Sequence, residues 1–177
     1  TLDSALLNLT LHQNGFNTTN NAVGNNLLSE KWASDLMRLN RSFIIDRSDK
    51  SKKDIYKSLF LASEFIAMSL TEKNESIWIA QKQGRSKDGI DFTDPSVLKM
   101  IHLSNRKTRI SEFLNSLSVV PVSISYEKDP NDILKAKEIY LTSLNTHYNK
   151  EPREDLQSIS DGITGQKGDV HLSIGEV

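Results

Sequence analysis

Cations and glycines gather in one short stretch of this chain. An apolar run, Ile77 to Ala80, gives way to Lys82, Gln83, Gly84, Arg85 and Lys87, and Gly89 closes the segment. The pattern is that of a short buried strand feeding a polar loop. Such a loop can present an anion site: the strand fixes position, glycine lets backbone approach, and the cations bind charge. It can equally be a solvated turn. A second cation, Arg47, directly follows the apolar run Phe43-Ile44-Ile45 and Asp46. It suits either a phosphate, held bidentately with a second arginine, or a surface ion pair with Asp46 or Asp49. A third loop, Ser123 to Tyr126, is expected after the apolar Val119 to Val122. In open α/β sheets ligands collect at the carboxyl ends of strands, so the three loops share a plausible location.

The elements that must position these loops follow from periodicity. Asp3 is an N-cap or first-turn acid for a helix over Ser4 to His12, stopped at Asn14-Gly15. A short strand ending at Gly24 lies within Asn17 to Asn26. Leu28, Trp32, Leu36 and Leu39 mark a helix over Leu27 to Leu39. Ser42 to Asp46 reads as a strand. The helix from about Asp54 to Leu70 has Ile55, Leu59, Ala62, Ile66 and Leu70 on its core face.

Asp94-Pro95 starts the next helix, with Val97, Leu98, Ile101 and Leu103 inward. Thr108 to Ser116 is helical, with Ile110, Phe113, Leu114 and Leu117 apolar. In the strand Val119 to Ser125, Pro121 lacks an N–H and belongs at an edge or strand end. Asp129-Pro130 starts a helix whose apolar face is Ile133, Ala136, Ile139, Tyr140 and Leu144. A weaker helix, Glu154 to Ile163, leads through a loop at Gly162, Gly165 and Gly168 to a strand, Val170 to Ile174. Strands alternate with helices, which predicts one α/β domain over residues 1–177, with a largely parallel or mixed sheet flanked by helices.

Composition narrows the chemistry. The 177 residues are 37% hydrophobic and 25% charged, with a net charge of −1, so any anion site must be local. With no cysteine, disulfides, thiolate nucleophiles and cysteine-ligated metals are excluded. No apolar run approaches the roughly 18 residues of a membrane-spanning helix. The four histidines, His12, His102, His147 and His171, show no metal-binding spacing. His102 and His147 suit surface or capping positions, and His171 and Glu176 point to opposite faces of a strand. No metal and no general base are therefore predicted within the chain. Thr1 leads straight into Leu2, Ala5, Leu6 and Leu9, as expected of a piece of a longer protein lacking its N-terminal elements.

Three blocks in order resemble the phospholipid/glycerol acyltransferase family, which includes lysophosphatidate and glycerol-3-phosphate acyltransferases. Phe43-Ile44-Ile45-Asp46-Arg47 resembles the family's strand ending in Ile-Asp-Arg. Gln83-Gly84-Arg85 resembles its Glu-Gly-Arg motif, and Val120-Pro121-Val122-Ser123-Ile124 its Val-Pro-Val-x-Ile motif. The phrases Ile77 to Gly89 and Val119 to Pro130 are similar to a bacterial branch, and the likeness extends to His171–Glu176. It covers essentially the whole chain.

The resemblance implies a glycerol-phosphate acyltransferase-like fold. It also implies transfer of a fatty acyl group from acyl-CoA or acyl-carrier protein to the hydroxyl of a phosphorylated glycerol or lysophospholipid, without a metal or other cofactor. Arg47 and Arg85, helped by Lys87, would bind the acceptor phosphate. Gly84 would admit it, and Pro121 would shape the donor side. The family's His-x-x-x-x-Asp motif, whose histidine is the general base, does not occur in this sequence. Asp3 matches its acidic end, with the histidine expected five residues upstream, so the chain alone is expected to be inactive. Gln83 departs from the family glutamate; it can hydrogen-bond an acceptor hydroxyl but carries no charge. The alternative is a family member that binds lipid phosphates without catalysis. The implied location is the cytoplasmic face of a membrane. Lys50, Lys52 and Lys53, with Arg106, Lys107 and Arg109, are either contacts for anionic headgroups or solvated faces.

Overall fold

The computed structural model describes residues 2–24, 31–46, 51–81, 89–90, 92–144 and 154–177. They are mixed α/β, with seven α-helices, a three-stranded parallel sheet and a two-stranded antiparallel ribbon among the described residues. They group into two compact units. One holds residues 8–24, 31–46, 51–81 and 92–119; the other holds residues 2–7, 89–90, 120–144 and 154–177. The segments interleave along the chain, so no single linker separates the units.

In the first unit, helix α1 (Leu2–Gln13), which contributes from Asn8 onward, ends where Gly15 takes a φ of +78°. The turn is held by the Phe16 N–H donating to the Leu11 carbonyl at 2.9 Å. Strand β1 (Asn20–Gly24) is central, with β2 (Ser42–Ile45) and β3 (Ile77–Trp78) parallel to it on either side. Ala22 lies beside Phe43, and Asn21 beside both Ser42 and Trp78.

Sequence hydropathy marks β2 and β3 as buried runs, but both are half-buried, and β3 stops at Trp78 instead of running to Ala80. Helix α2 (Lys31–Leu39) precedes β2, and its final residue, Leu39, is 83% exposed instead of packed inward. Two left-handed residues, Arg41 and Asn74, both with φ of 52°, turn the chain toward β2 and β3.

Helix α3 (Lys52–Thr71) carries the core. It begins at Ser51, whose hydroxyl accepts from the Asp54 N–H, and it buries Ala62 and Ile66 on the expected face. Val97 and Met100 of α4 (Pro95–Ile101), Leu103 and Phe113 of α5 (Ile110–Ser116) complete the apolar core. As the Asp94-Pro95 signal predicts, the Asp94 carboxylate caps α4, accepting from the Ser96 N–H at 2.8 Å. Ser63, fully buried, donates to the Ile101 carbonyl and accepts from the Ser104 N–H, both at 2.9 Å.

The central strand is unusual in opening on polar residues. Asn21 is almost fully buried, and its amide donates to the Asn40 carbonyl at 2.9 Å, while its oxygen accepts from Asn8 at 3.3 Å. Asn8 in turn accepts from the Thr19 N–H at 2.8 Å. The side chains of Asn8, Thr19 and Asn21 thus find partners in one another and in the backbone, which avoids the desolvation cost of leaving them bare, whereas the buried hydroxyls of Ser42 and Ser69 have none among the described residues.

In the second unit, β4 (Val122–Tyr126) pairs antiparallel with β5 (Val170–Ile174), Ser125 lying opposite His171. The strand expected over Val119 to Ser125 is thus present but shifted to Val122–Tyr126, and the loop placed at Ser123 to Tyr126 after it is strand. The pairing continues past the strand ends, with the Glu127 N–H donating to the Asp169 carbonyl at 2.9 Å.

Helix α6 (Asp132–Leu144) inverts its expected face. Ile133 is 79% exposed, and Ala136, Ile139, Tyr140 and Leu144 are exposed too. The inward stripe is instead Leu134, Glu138 and Leu141, at helical spacing, with Glu138 buried. A buried glutamate is invisible to hydropathy, which therefore selects the wrong phase. Helix α7 (Glu154–Thr164) includes Gly162, expected in a loop. A side chain there would meet Asn131 Nδ2 at 3.3 Å, so glycine serves packing rather than a turn. Ser158 fixes the same contact by donating to Asn131 Oδ1 at 3.0 Å.

Candidate functional site

Because β2 and β3 both run parallel to β1, the chain leaves all three strands at one edge of the sheet. Asp46 follows β2 there, half-buried. The cations and polar residues expected next, Arg47 and then Lys82, Gln83, Gly84, Arg85 and Lys87, lie outside the described residues. The strands that lead to them are described, and so is the closure of the second segment. The Asp94 N–H donates to the Gln81 carbonyl at 2.8 Å, and Thr93 Oγ1 donates to the Gln81 side chain at 3.3 Å. Gly89 has a φ of +74°, the left-handed region where a side chain would be strained.

The opposite, amino edge of the same sheet carries a different cluster. Arg41 Nη2 meets Glu75 Oε1 at 2.6 Å, Asn20 Nδ2 donates to Glu75 Oε2 at 2.8 Å, and Arg41 Nε donates to Asn20 Oδ1 at 3.2 Å. The Asn20 hydrogen bond, with the charges of Arg41 and Lys73, holds the Glu75 carboxyl below its usual range. Every member is tied to another, so this cluster braces the strand starts.

Asp3 and Pro121 belong to the other unit. Asp3 stands in the first turn of α1, where the helix dipole favours an anion, and its Oδ1 accepts from the Tyr126 hydroxyl at 2.5 Å. Partial burial, then the hydrogen bond to Asp3 and the charges of Asp3 and Asp129, raise the Tyr126 hydroxyl well above the ordinary phenol range. Tyr126 therefore stays a donor and fixes one oxygen of the Asp3 carboxylate. Sequence reasoning gave Tyr126 no role. Its signal was the alternation Val122, Ile124, Tyr126, which puts it on the half-buried side of β4.

Pro121 sits immediately before β4, as its missing N–H requires, and its carbonyl accepts from the Gly175 N–H at 2.9 Å. A side chain at Gly175 would come within 2.7 Å of the proline ring. Pro121 thus closes the ribbon against the chain's last residues.

His102 ends α4 as a cap, Nε2 lying 2.8 Å from the Thr108 carbonyl and the ring 5.6 Å from Phe113. His171 lies in β5, and His147 is outside the described residues. Among the described residues, no three His, Asp or Glu side chains are arranged to hold a metal ion, and no helix is long and apolar enough to cross a membrane. No family model matches the chain, and no curated protein matches it.

Proposed function

We propose that the chain is an acyltransferase domain that moves a fatty acyl group from a thioester donor to the hydroxyl of a phosphorylated glycerol or lysophospholipid, on a glycerol-phosphate acyltransferase-like fold. The ordered resemblance of Phe43 to Arg47, Gln83 to Arg85 and Val120 to Ile124 motivates it. The observation that supports it most directly is the parallel alignment of β2 and β3 about β1, which directs the segments bearing Arg47 and Arg85 from the same edge of one sheet.

In this proposal Arg47 and Arg85, with Lys87, hold the acceptor phosphate, and backbone at Gly84 approaches it closely. Gln83 hydrogen-bonds the acceptor's glycerol. A histidine preceding Thr1 takes the hydroxyl proton, and Asp3 orients that histidine through the carboxylate oxygen that Tyr126 leaves available. The hydroxyl oxygen then attacks the thioester carbonyl, and the thiolate of CoA or carrier protein leaves and takes up a proton. Pro121 shapes the donor side.

Titration calorimetry with glycerol-3-phosphate and lysophosphatidate tests the acceptor site. Binding that disappears in Arg85→Ala supports it, and unchanged affinity overturns the phosphate assignment. Thioester-dependent transfer is then assayed with the residues that precede Thr1 in the gene included. No transfer to any such acceptor, with binding intact, leaves a lipid-phosphate-binding domain and ends the enzyme proposal.

A further inference from the structure

The described members of the first basic cluster, Lys52 and Lys53, lie on α3 beside the turn that carries the second. The guanidinium of Arg106 lies 5.5 Å from the centroid of the Tyr56 ring on α3. Lys52 and Lys53 precede Tyr56 by four and three residues on the same helix, so all three share a face. Lys107 and Arg109 flank Thr108 in the turn that follows Arg106, and all five cations are exposed.

That turn is braced rather than loose. His102 reaches the Thr108 carbonyl at 2.8 Å, the Thr108 hydroxyl donates to the Asn105 carbonyl at 2.9 Å, and Ser63 anchors the preceding Ser104. The acids nearest in sequence among the described residues are Asp54, whose carboxylate accepts from the Ser51 hydroxyl, and Glu112 in the first turn of α5. The surface therefore keeps a cationic excess on a chain of net charge −1.

We infer that this face, centred on Tyr56, docks the protein on an anionic lipid bilayer. Lysine and arginine near such a surface gain from its negative potential, and a tyrosine amid them places an apolar ring and a polar tip at the boundary between headgroup and acyl chain. Tyr56 is 45% exposed and Ile110, next to Arg109, is 39% exposed, which gives the surface apolar contact as well as charge. A duplex nucleic acid would call for a basic area extending beyond one helix end and one turn. The choice of lipid rests on the proposed function, whose acceptor resides in a bilayer; the placement of the cations does not.

Co-sedimentation with vesicles tests it without any thioester, and so reads the surface whether or not the chain transfers acyl groups. Vesicles about one-third phosphatidylglycerol in phosphatidylcholine should bind the wild-type chain, and pure phosphatidylcholine should not. The triple variant Lys52→Gln, Lys53→Gln, Lys107→Gln should bind about a hundredfold more weakly, about fivefold per cation removed. A control with the same charge change elsewhere, Lys31→Gln, Lys128→Gln, Lys137→Gln, should retain binding. Equal weakening by both triple variants, or none by the first, overturns the assignment. So does displacement from vesicles by millimolar inorganic phosphate, which would mark a phosphate site, or preferential capture by duplex DNA. Unchanged circular dichroism of each variant ties the loss to the surface and not to unfolding.

Discussion

The two units of this chain are held together in different ways. The parallel-sheet unit buries Ala62, Ile66, Val97, Met100, Leu103 and Phe113 together. In the ribbon unit the buried residues among those described are Leu7, Glu138 and Ser158, while Ile133, Tyr140 and Leu144 are exposed. What the ribbon unit has instead is close backbone approach. A side chain at Gly165 would come within 2.6 Å of Pro130, and one at Gly175 would meet Pro121. One unit depends on apolar burial, the other on glycines at contacts that admit no extra atom.

That contrast can be broken from either side. Ile66→Ala should have the largest effect, about 2–5 kcal/mol in denaturant titration, because Ile66 is 1% exposed and the cavity sits at the centre of the core. Hydrogen exchange should then quicken first in β1 and α3. Gly165→Ala should cost about 1–3 kcal/mol through overpacking against Pro130 and the Asp161 carbonyl. Its exchange signature should appear in β4, β5 and α7. If Gly165→Ala is neutral, the ribbon unit is looser than its contacts imply.

Tyr126→Phe should be milder, about 1 kcal/mol, since its hydrogen bond reaches a charged partner but is only partly shielded from water. Its pH dependence is diagnostic. The folded hydroxyl titrates above its ordinary value of 10.0, so its contribution is complete below that pH and fades as pH rises toward the folded value. The phenylalanine variant should lack this alkaline decline. Glu75→Gln should have the smallest effect, present at neutral pH and vanishing in acid. Glu75 titrates below 4.5 in the folded chain, so its contribution is present above that pH and is lost as pH falls through the folded value. A flatter acid limb in the variant, read by thermal melts, checks it.

Much of the fold was legible because local signals carried it. Asn14-Gly15, Asp94-Pro95 and the alternation of Val170, Leu172 and Ile174 each report on a few neighbouring residues, and the elements they mark are present. Facts that depend on distant partners were not legible. The face of α6 turned on Glu138, whose burial no hydropathy pattern encodes. The strand around Val122 to Ser125 was marked locally, but its antiparallel partner, β5, lies over forty residues away, and nothing local sets where the pairing begins and ends. At the candidate site, Asp3 was marked by its resemblance to a motif. Tyr126, its hydrogen-bond partner, is 123 positions distant, and nothing local announces the pair.

Asp94 serves two elements at once: its carboxylate starts α4, and its N–H bonds to Gln81. The two feet of the intervening segment are therefore fastened to each other by the same residue that begins the next helix. Closing a loop at its base makes its length and composition nearly independent of the scaffold beneath it. The exit of β3 and the start of α4 are thus held in one register by a single residue, so loosening either contact of Asp94 loosens both elements.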